Sequence, residues 1–312
     1  MAAVDTTLPS RRRQKATVGL PGQNDVHPHG LRWWRELGWR HVVTWGALAF
    51  AFIPILYVVS SSLNPTGSLT GSNHLFSAVS FDNYVDLLTD PVHPYARWFW
   101  NTLMIATVTA LGTVMIGAAA AYAFSRFRFR GRRGGLLSLL LVQMFPQMLA
   151  YVAIFLLLVT LKDVFPAIGL GTRLGLILVY LGGALGVNTY LMYGFFNTVP
   201  RELDEAAKID GASHAQIFFT IILRLVAPIL AVVGLLSFVG VFSDFLIASV
   251  VLVDPNSQTL PVGLYQFVSQ RFSEYWGVFA AGAVLAAIPV VLLFQFLQRY
   301  IVSGLTAGSV KG

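Results

Sequence analysis

The 312-residue chain is 56% hydrophobic and only 11% charged, has no cysteine, and carries 21 lysines and arginines against 14 acidic residues, with a mean hydropathy of +0.68. Soluble domains hold about 25% charged residues, so the composition excludes an ordinary soluble globule, and the missing cysteines exclude disulfides and thiolate metal sites. The net charge of +7 suits loops that orient a multi-spanning membrane protein, and no basic groove interleaved with aromatics points to nucleic acid.

The first 30 residues lack the apolar stretch of a secretory signal and read as a basic, disordered tail. Its His27 and His29, in "HPHG", are two histidines in a Pro/Gly-rich segment, whose ordinary state is solvated rather than metal-bound. "LRWWRELGWR", Leu31 to Arg40, reads as an interfacial helix with arginines at the headgroups and tryptophans dipping inward. The organisation expected is therefore a tail and interfacial helix over 1–38, followed by a membrane domain over 39–312.

A crossing needs about 20 apolar residues, and six segments qualify: 41–63, 98–124, 136–161, 174–197, 223–253 and 276–300. Seventeen of the 21 basic residues fall before the first span, in "SRFRFRGRRGG" between the second and third, in the fourth connection, or after the last span; only Arg97, Lys162, Arg173 and Arg271 fall on the other side. The positive-inside rule then makes both termini cytoplasmic. The seven tryptophans sit at or near span ends, where the indole prefers the headgroup layer. Outside lie two long connections, 64–97 and 254–275, the second mixing aromatics with amides in "DPNSQTLPVGLYQFVSQRFSEY".

Within the spans, away from their ends, one ionisable residue occurs, Asp244 in "GVFSDFLIAS". Ion-coupled carriers usually gather several buried charges or broken helices around a midplane site, and the chain also lacks a phosphate-binding GxxxxGK[ST] loop. Energy for any pumping must come from another chain. Placed about 30 Å along a helix starting near Leu223, Asp244 either reaches interfacial water or faces a polar path. Gln143 and Asn188 likewise either line a path or bond between helices. Gly182, Gly183 and Gly186 read as close-packing positions.

The fourth connection carries the densest acidic run, "ELDEAAKIDGAS". Pro200 is expected at the first helical position, with Glu202, Asp204 and Glu205 at the positive end of the helix dipole and Asp204 and Lys208 as an i,i+4 pair. Gly211 fits a left-handed stop, and Ser213 with Gln216 a capping box. A net negative helix is repelled by anionic headgroups. It is either a solvated loop helix or a surface for a partner bearing arginine or lysine, with the small Ala206 and Ala207 as its close-fitting side.

Glu205-Ala206-Ala207, then Gly211, then Ile221 and Leu223 resemble the EAA loop of ABC-importer membrane subunits. "NTLMIATVTALGTVMIGAAAAYAFSRFRFRG", "LLVQMFPQM", "WGVFAAGAVLAAIP" and the closing "SGLTAGSVKG" are similar to the MalG-type subunit of maltose and maltodextrin importers, from about residue 40 to the end. The resemblance implies an all-α, polytopic, type I importer permease fold with six transmembrane helices and both termini cytoplasmic, in the bacterial cytoplasmic membrane. It implies no catalytic residue, no metal and no cofactor on this chain. ATP and Mg would be held by two copies of a partner ATPase, and a second, related permease subunit and an extracytoplasmic sugar-binding protein would complete the complex in the lipid bilayer.

By the same resemblance, the loop over 198–222 would dock in the ATPase through Glu205, Ala206, Ala207, Asp210 and Gly211. The tail over 303–312 would reach the ATPase through Gly308, Ser309, Val310, Lys311 and Gly312. The outer loop, with Asn256, Ser257, Gln258, Tyr265 and Gln266, would act as a scoop entering the binding protein. The sugar implied is maltose or maltodextrin, with trehalose or another glycoside as the alternative; a stand-alone secondary carrier and a non-transporting scaffold are the rivals outside this class. One departure stands out: Arg224 occupies the place of a proline in the family pattern, and Pro228 follows four residues later.

Overall fold

The computed structural model describes residues 34–66, 74–271 and 275–309, and all regular elements among them are helical. The chain divides into two compact units at Ile53 and Pro54. A π-helical turn, Trp34–Gly38, runs directly into α1, Trp39–Ser62, so the described part of the expected interfacial helix is continuous with the first span. Pro54 lies inside α1, on the boundary between the two units.

The second unit is built on α3, Tyr95–Arg126. Its 32 residues extend about 48 Å, more than the roughly 30 Å hydrocarbon core. Eight of its 32 residues are alanine, which loses the least freedom in a helix. Its small residues Ala106, Ala110, Ala118 and Ala121 are buried where other helices close on it. Before it, the connection expected to be irregular over 64–97 contains α2, Asp82–Thr89. Asn83 of α2 donates from Nδ2 to Ser62 O at 3.0 Å and to Asn64 O at 2.8 Å, tying this helix to the end of α1.

Three of the expected spans are bent. The helices α4, Arg132–Gln143, and α5, Gln147–Val164, meet at 97° around Pro146; α6, Arg173–Gly182, and α7, Val187–Phe196, meet at 55° after the glycine pair. After α8, Glu202–Ile209, the helical segment α9, His214–Leu225, turns through 81° into α10, Ala227–Phe242. Pro228 stands in the first turn of α10, where its missing N–H is tolerated. The bend is therefore made at Val226 and Pro228, and Arg224, two residues before it, lies exposed on α9.

Among the described residues, helix length and apolarity give three continuous spans, within α1, α3 and the last helix, α13, Trp276–Ser309, and up to six when each bent pair counts as one crossing. The expected span 223–253 is thus two helices, α10 and the short α11, Leu246–Val251, with Asp244 in the break between them. Of the connection 254–275, the part over 254–271 is a tight turn followed by α12, Leu260–Arg271.

Helix α3 packs against α6, α7 and α10, and α13 against α2, α10 and α12. Three buried clusters result. One holds Trp98, Leu260, Leu264 and Phe267; a second Ile105, Leu176, Ile177 and Leu252; the third, at the end carrying α8, Tyr122, Met192, Phe196, Ala207, Ile217 and Ile222. Trp98 is fully buried and its Nε1–H donates to Pro255 O at 2.8 Å. It is a core residue, unlike the exposed Trp34, Trp39, Trp45 and Trp100, which suit the headgroup layer.

Candidate functional site

The acidic segment "ELDEAAKI" forms α8, with Glu202, Asp204 and Glu205 in its first turn, where the helix dipole favours them. Arg201 precedes it, so Pro200 stands before the helix and not at its first position. Gly211 takes φ of +82° and closes the helix: its N–H donates to Lys208 O at 3.0 Å and that of Ala212 to Ala207 O at 2.9 Å, the paired bonds of a Schellman stop. Ser213 and Gln216 then form a reciprocal capping box, Gln216 N–H to Ser213 Oγ at 3.3 Å and Ser213 N–H to Gln216 Oε1 at 2.7 Å, which starts α9.

The two faces of α8 differ sharply. Asp204 and Ala207, three residues apart, are buried. Arg126 at the end of α3 reaches Asp204 at 2.8 Å, displacing the expected pairing of Asp204 with Lys208. Arg126 also donates from Nη2 to Val199 O at 3.1 Å, while Arg201 Nη2 donates back to Ser125 O at 2.9 Å. Ala207 packs into the protein's own core with Met192, Phe196 and Ile217, so of the two alanines only Ala206 faces outward. Every other residue of α8 is exposed, Leu203, Glu205, Ala206, Lys208 and Ile209 among them, with Ile209 87% exposed, and exposed Asp210 follows at its end. The helix is thus held to the spans on one side and offers apolar and charged side chains on the other. The sequence reading missed Leu203 and Ile209 on that other side; their spacing from Ala206, three residues each way, was the available signal.

The candidate residues of the connection after α11 are placed by α3 and α12. Asn101 donates from Nδ2 to Asn256 O and Gln258 O, both at 3.0 Å, and Arg97 bonds the Asn256 side chain. Ser257 is partly exposed and folds onto Asp254 O at 2.9 Å. Gln258 is buried, its Oε1 accepting from Gln266 Nε2 at 2.7 Å, so its side chain turns inward. Asn256 and Tyr265 are exposed, and Tyr265 rests on Phe245 with ring centroids 4.9 Å apart. Nearby, Asp90 is raised by burial but lowered further by His93, 2.6 Å away, and by the N–H groups of Val92 and His93, so its carboxyl ends below its ordinary value.

Gln143 lies against Gly186, where a Cβ would overlap its amide; Asn188 is half-exposed on α7. Asp244 accepts at Oδ1 from Tyr180 Oη at 2.8 Å and from Ala248 N–H at 3.1 Å. No hydrogen bond joins Gln143, Asn188 and Asp244 to one another among the described residues. Gly308 and Ser309 lie in the last turn of α13, which is helical where a separate tail was expected, and Val310, Lys311 and Gly312 lie outside the described residues.

Residues 113–307 match the model of the family described as binding-protein-dependent transport system inner membrane component. Over 300 residues the chain is 41% identical to the maltose/maltodextrin transport system permease protein MalG of Photorhabdus laumondii, covering 92% of this chain and 99% of that one. It is 42% identical over 260 residues to the galactooligosaccharides transport system permease protein GanQ of Bacillus subtilis, covering 83% and 90%. The fold is similar to that of a chain in a bacterial ABC transporter involved in the import of the acidic polysaccharide alginate, with a TM-score of 0.72 at 24% identity, covering 88% of this chain and 99% of that one.

Proposed function

Because the chain belongs to the binding-protein-dependent transport system inner membrane components, we propose that it is the permease subunit of an ATP-driven importer of maltose, maltodextrins or a related oligosaccharide. It acts as a multi-pass protein of the bacterial cytoplasmic membrane with both termini cytoplasmic, as the distribution of basic residues favours. It carries no catalytic group of its own. A partner ATPase holds ATP and Mg, a second permease subunit completes the pathway, and an extracytoplasmic binding protein delivers the sugar at the end bearing Asn256 and Tyr265.

The observation that carries this reading is the two-faced α8: Asp204 and Ala207 held by the spans, Glu205, Ala206 and Ile209 presented outward. ATP-driven closure of the ATPase dimer moves the gripped face, and the Arg126–Asp204 contact passes the displacement to α3. The spans then exchange inward-facing for outward-facing packing. The sugar class rests on the relatives named for maltodextrin and for galactooligosaccharides, whose identities of 41% and 42% do not rank them.

Reconstitution of the chain with its neighbouring permease, ATPase and binding protein tests the reading. Uptake of labelled maltodextrin should need ATP and all four components; uptake by the chain alone on an ion gradient would overturn it. Galacto-oligosaccharide uptake in place of maltodextrin would reassign the sugar and leave the permease role standing.

A further inference from the structure

Five arginines crowd the connection between α3 and α4, and only two have work within the chain. Arg126 is paired with Asp204, and Arg132 donates to Tyr193 Oη at 3.0 Å while its guanidinium stacks 5.7 Å over that ring. Arg128, Arg130 and Arg133 are exposed and form no ion pair among the described residues. Nothing in the sequence from Pro91 to Lys162 is acidic, so no sequence neighbour on α3, the turn or α4 supplies a counter-charge.

The turn is shaped. Gly131 takes φ of +87°, and a hollow of about 460 Å³ opens beside it, lined by Arg128, Phe129, Gly131, Arg132, Arg133 and Gly134. Phe127 and Phe129 stand 39% and 47% exposed in the same turn, and exposed Leu137 and Leu141 continue down α4 into the span. Unpaired guanidinium groups at the headgroup level, with aromatic and apolar surface directly beneath, match one ligand: a phosphate carried on an acyl chain. A soluble protein partner has no use for apolar surface that runs on into the bilayer, and α8, the face offered to a protein, is acidic instead.

We propose that Arg128, Arg130 and Arg133 form a binding site for the headgroup of an anionic phospholipid in the cytoplasmic leaflet. The ligand holds the α3–α4 turn against the membrane surface, next to the residue that clamps α8.

The test is a titration of the purified complex in uncharged detergent with dioctanoyl phosphatidylglycerol, dioctanoyl phosphatidylcholine or inorganic phosphate, with bound species counted by native mass spectrometry. Phosphatidylglycerol should bind in preference to phosphatidylcholine, and the preference should fade as salt rises. The variant R128Q/R130Q/R133Q should lose about tenfold or more in affinity while still copurifying with its partners, and the triple lysine variant should keep part of it. Equal binding of the two lipids, or full retention by the glutamine variant, overturns the proposal. Displacement of the lipid by equimolar inorganic phosphate would mark a small-anion site, and loss of the partner subunits a protein interface; either result also overturns it. The lipid preference and its salt dependence are read on the unaltered chain, so the outcome does not hang on any variant folding.

Discussion

Arg126 Nε stands 2.8 Å from Asp204 Oδ2, with the two side chains only 7% and 9% exposed. The contact is charge on charge, since neither Nε nor the carboxylate oxygens complete an aligned hydrogen bond. It joins the end of α3, a continuous membrane-crossing helix of the second unit, to the helix that carries Glu205. Removing one member strands the other without its counter-charge, at about 3–5 kcal/mol, whereas replacing both with apolar side chains of similar volume is often close to neutral. Asp204→Ala should therefore lower the thermal stability of the purified complex substantially, and Arg126→Met combined with Asp204→Leu should recover most of it. If the double variant is as unstable as the single one, the pair is not the clamp described.

Glu205 lies one residue further along α8 but faces outward. Exposed positions away from packing usually change stability by within about 0.5 kcal/mol, so Glu205→Lys should leave unfolding of the isolated chain where it was. The same change reverses the charge offered to a basic partner surface, and the ATPase should no longer copurify. Retained copurification with normal transport would remove Glu205 from the docking surface.

The contrast between these neighbours shows what the sequence disclosed. Gly211, Ser213 and Gln216 were legible because their bonds span six residues or fewer, and turn chemistry is local. The partner of Asp204 was not: Arg126 is one of five arginines in a short run, and choosing among them requires the packing of α3 on α7. Trp98 at a span end fits a headgroup anchor and a core residue equally well until Leu260 and Phe267 close over it. Apolar composition located the crossings but not their breaks, because Pro146 and Pro228 lie inside otherwise continuous apolar runs. Gln258 reads as a polar loop residue, yet the turn that folds it inward is set by Asn101 more than 150 residues away.

Gly263 of α12 meets the buried face of Trp98, and a Cβ there would overlap the indole ring. The ring cannot swing aside, because its Nε1–H is bound to Pro255 O at 2.8 Å and Phe267 packs edge-on at 6.4 Å. Overpacking of this kind costs about 1–3 kcal/mol. Gly263→Ala should lower the unfolding temperature, and Gly263→Val more so; an unchanged transition in both would mean that α12 is free to shift away from α3.

Asp244 was read from sequence as either a hydrated carboxylate or part of a polar path, and its bonds decide what to expect. One oxygen accepts both the Tyr180 hydroxyl and the Ala248 N–H, so the side chain fastens α6 to the break between α10 and α11 and caps the start of α11. An amide oxygen can accept the same two bonds, whereas leucine can accept neither, and each unmet buried donor costs about 1–3 kcal/mol. Asp244→Asn should keep the stability of the wild-type chain and transport within about twofold, while Tyr180→Phe and Asp244→Leu should both unfold more readily. Normal stability with abolished transport in Asp244→Asn would show that the charge itself acts on the passing substrate, and the residue would move from the framework of the break to the pathway.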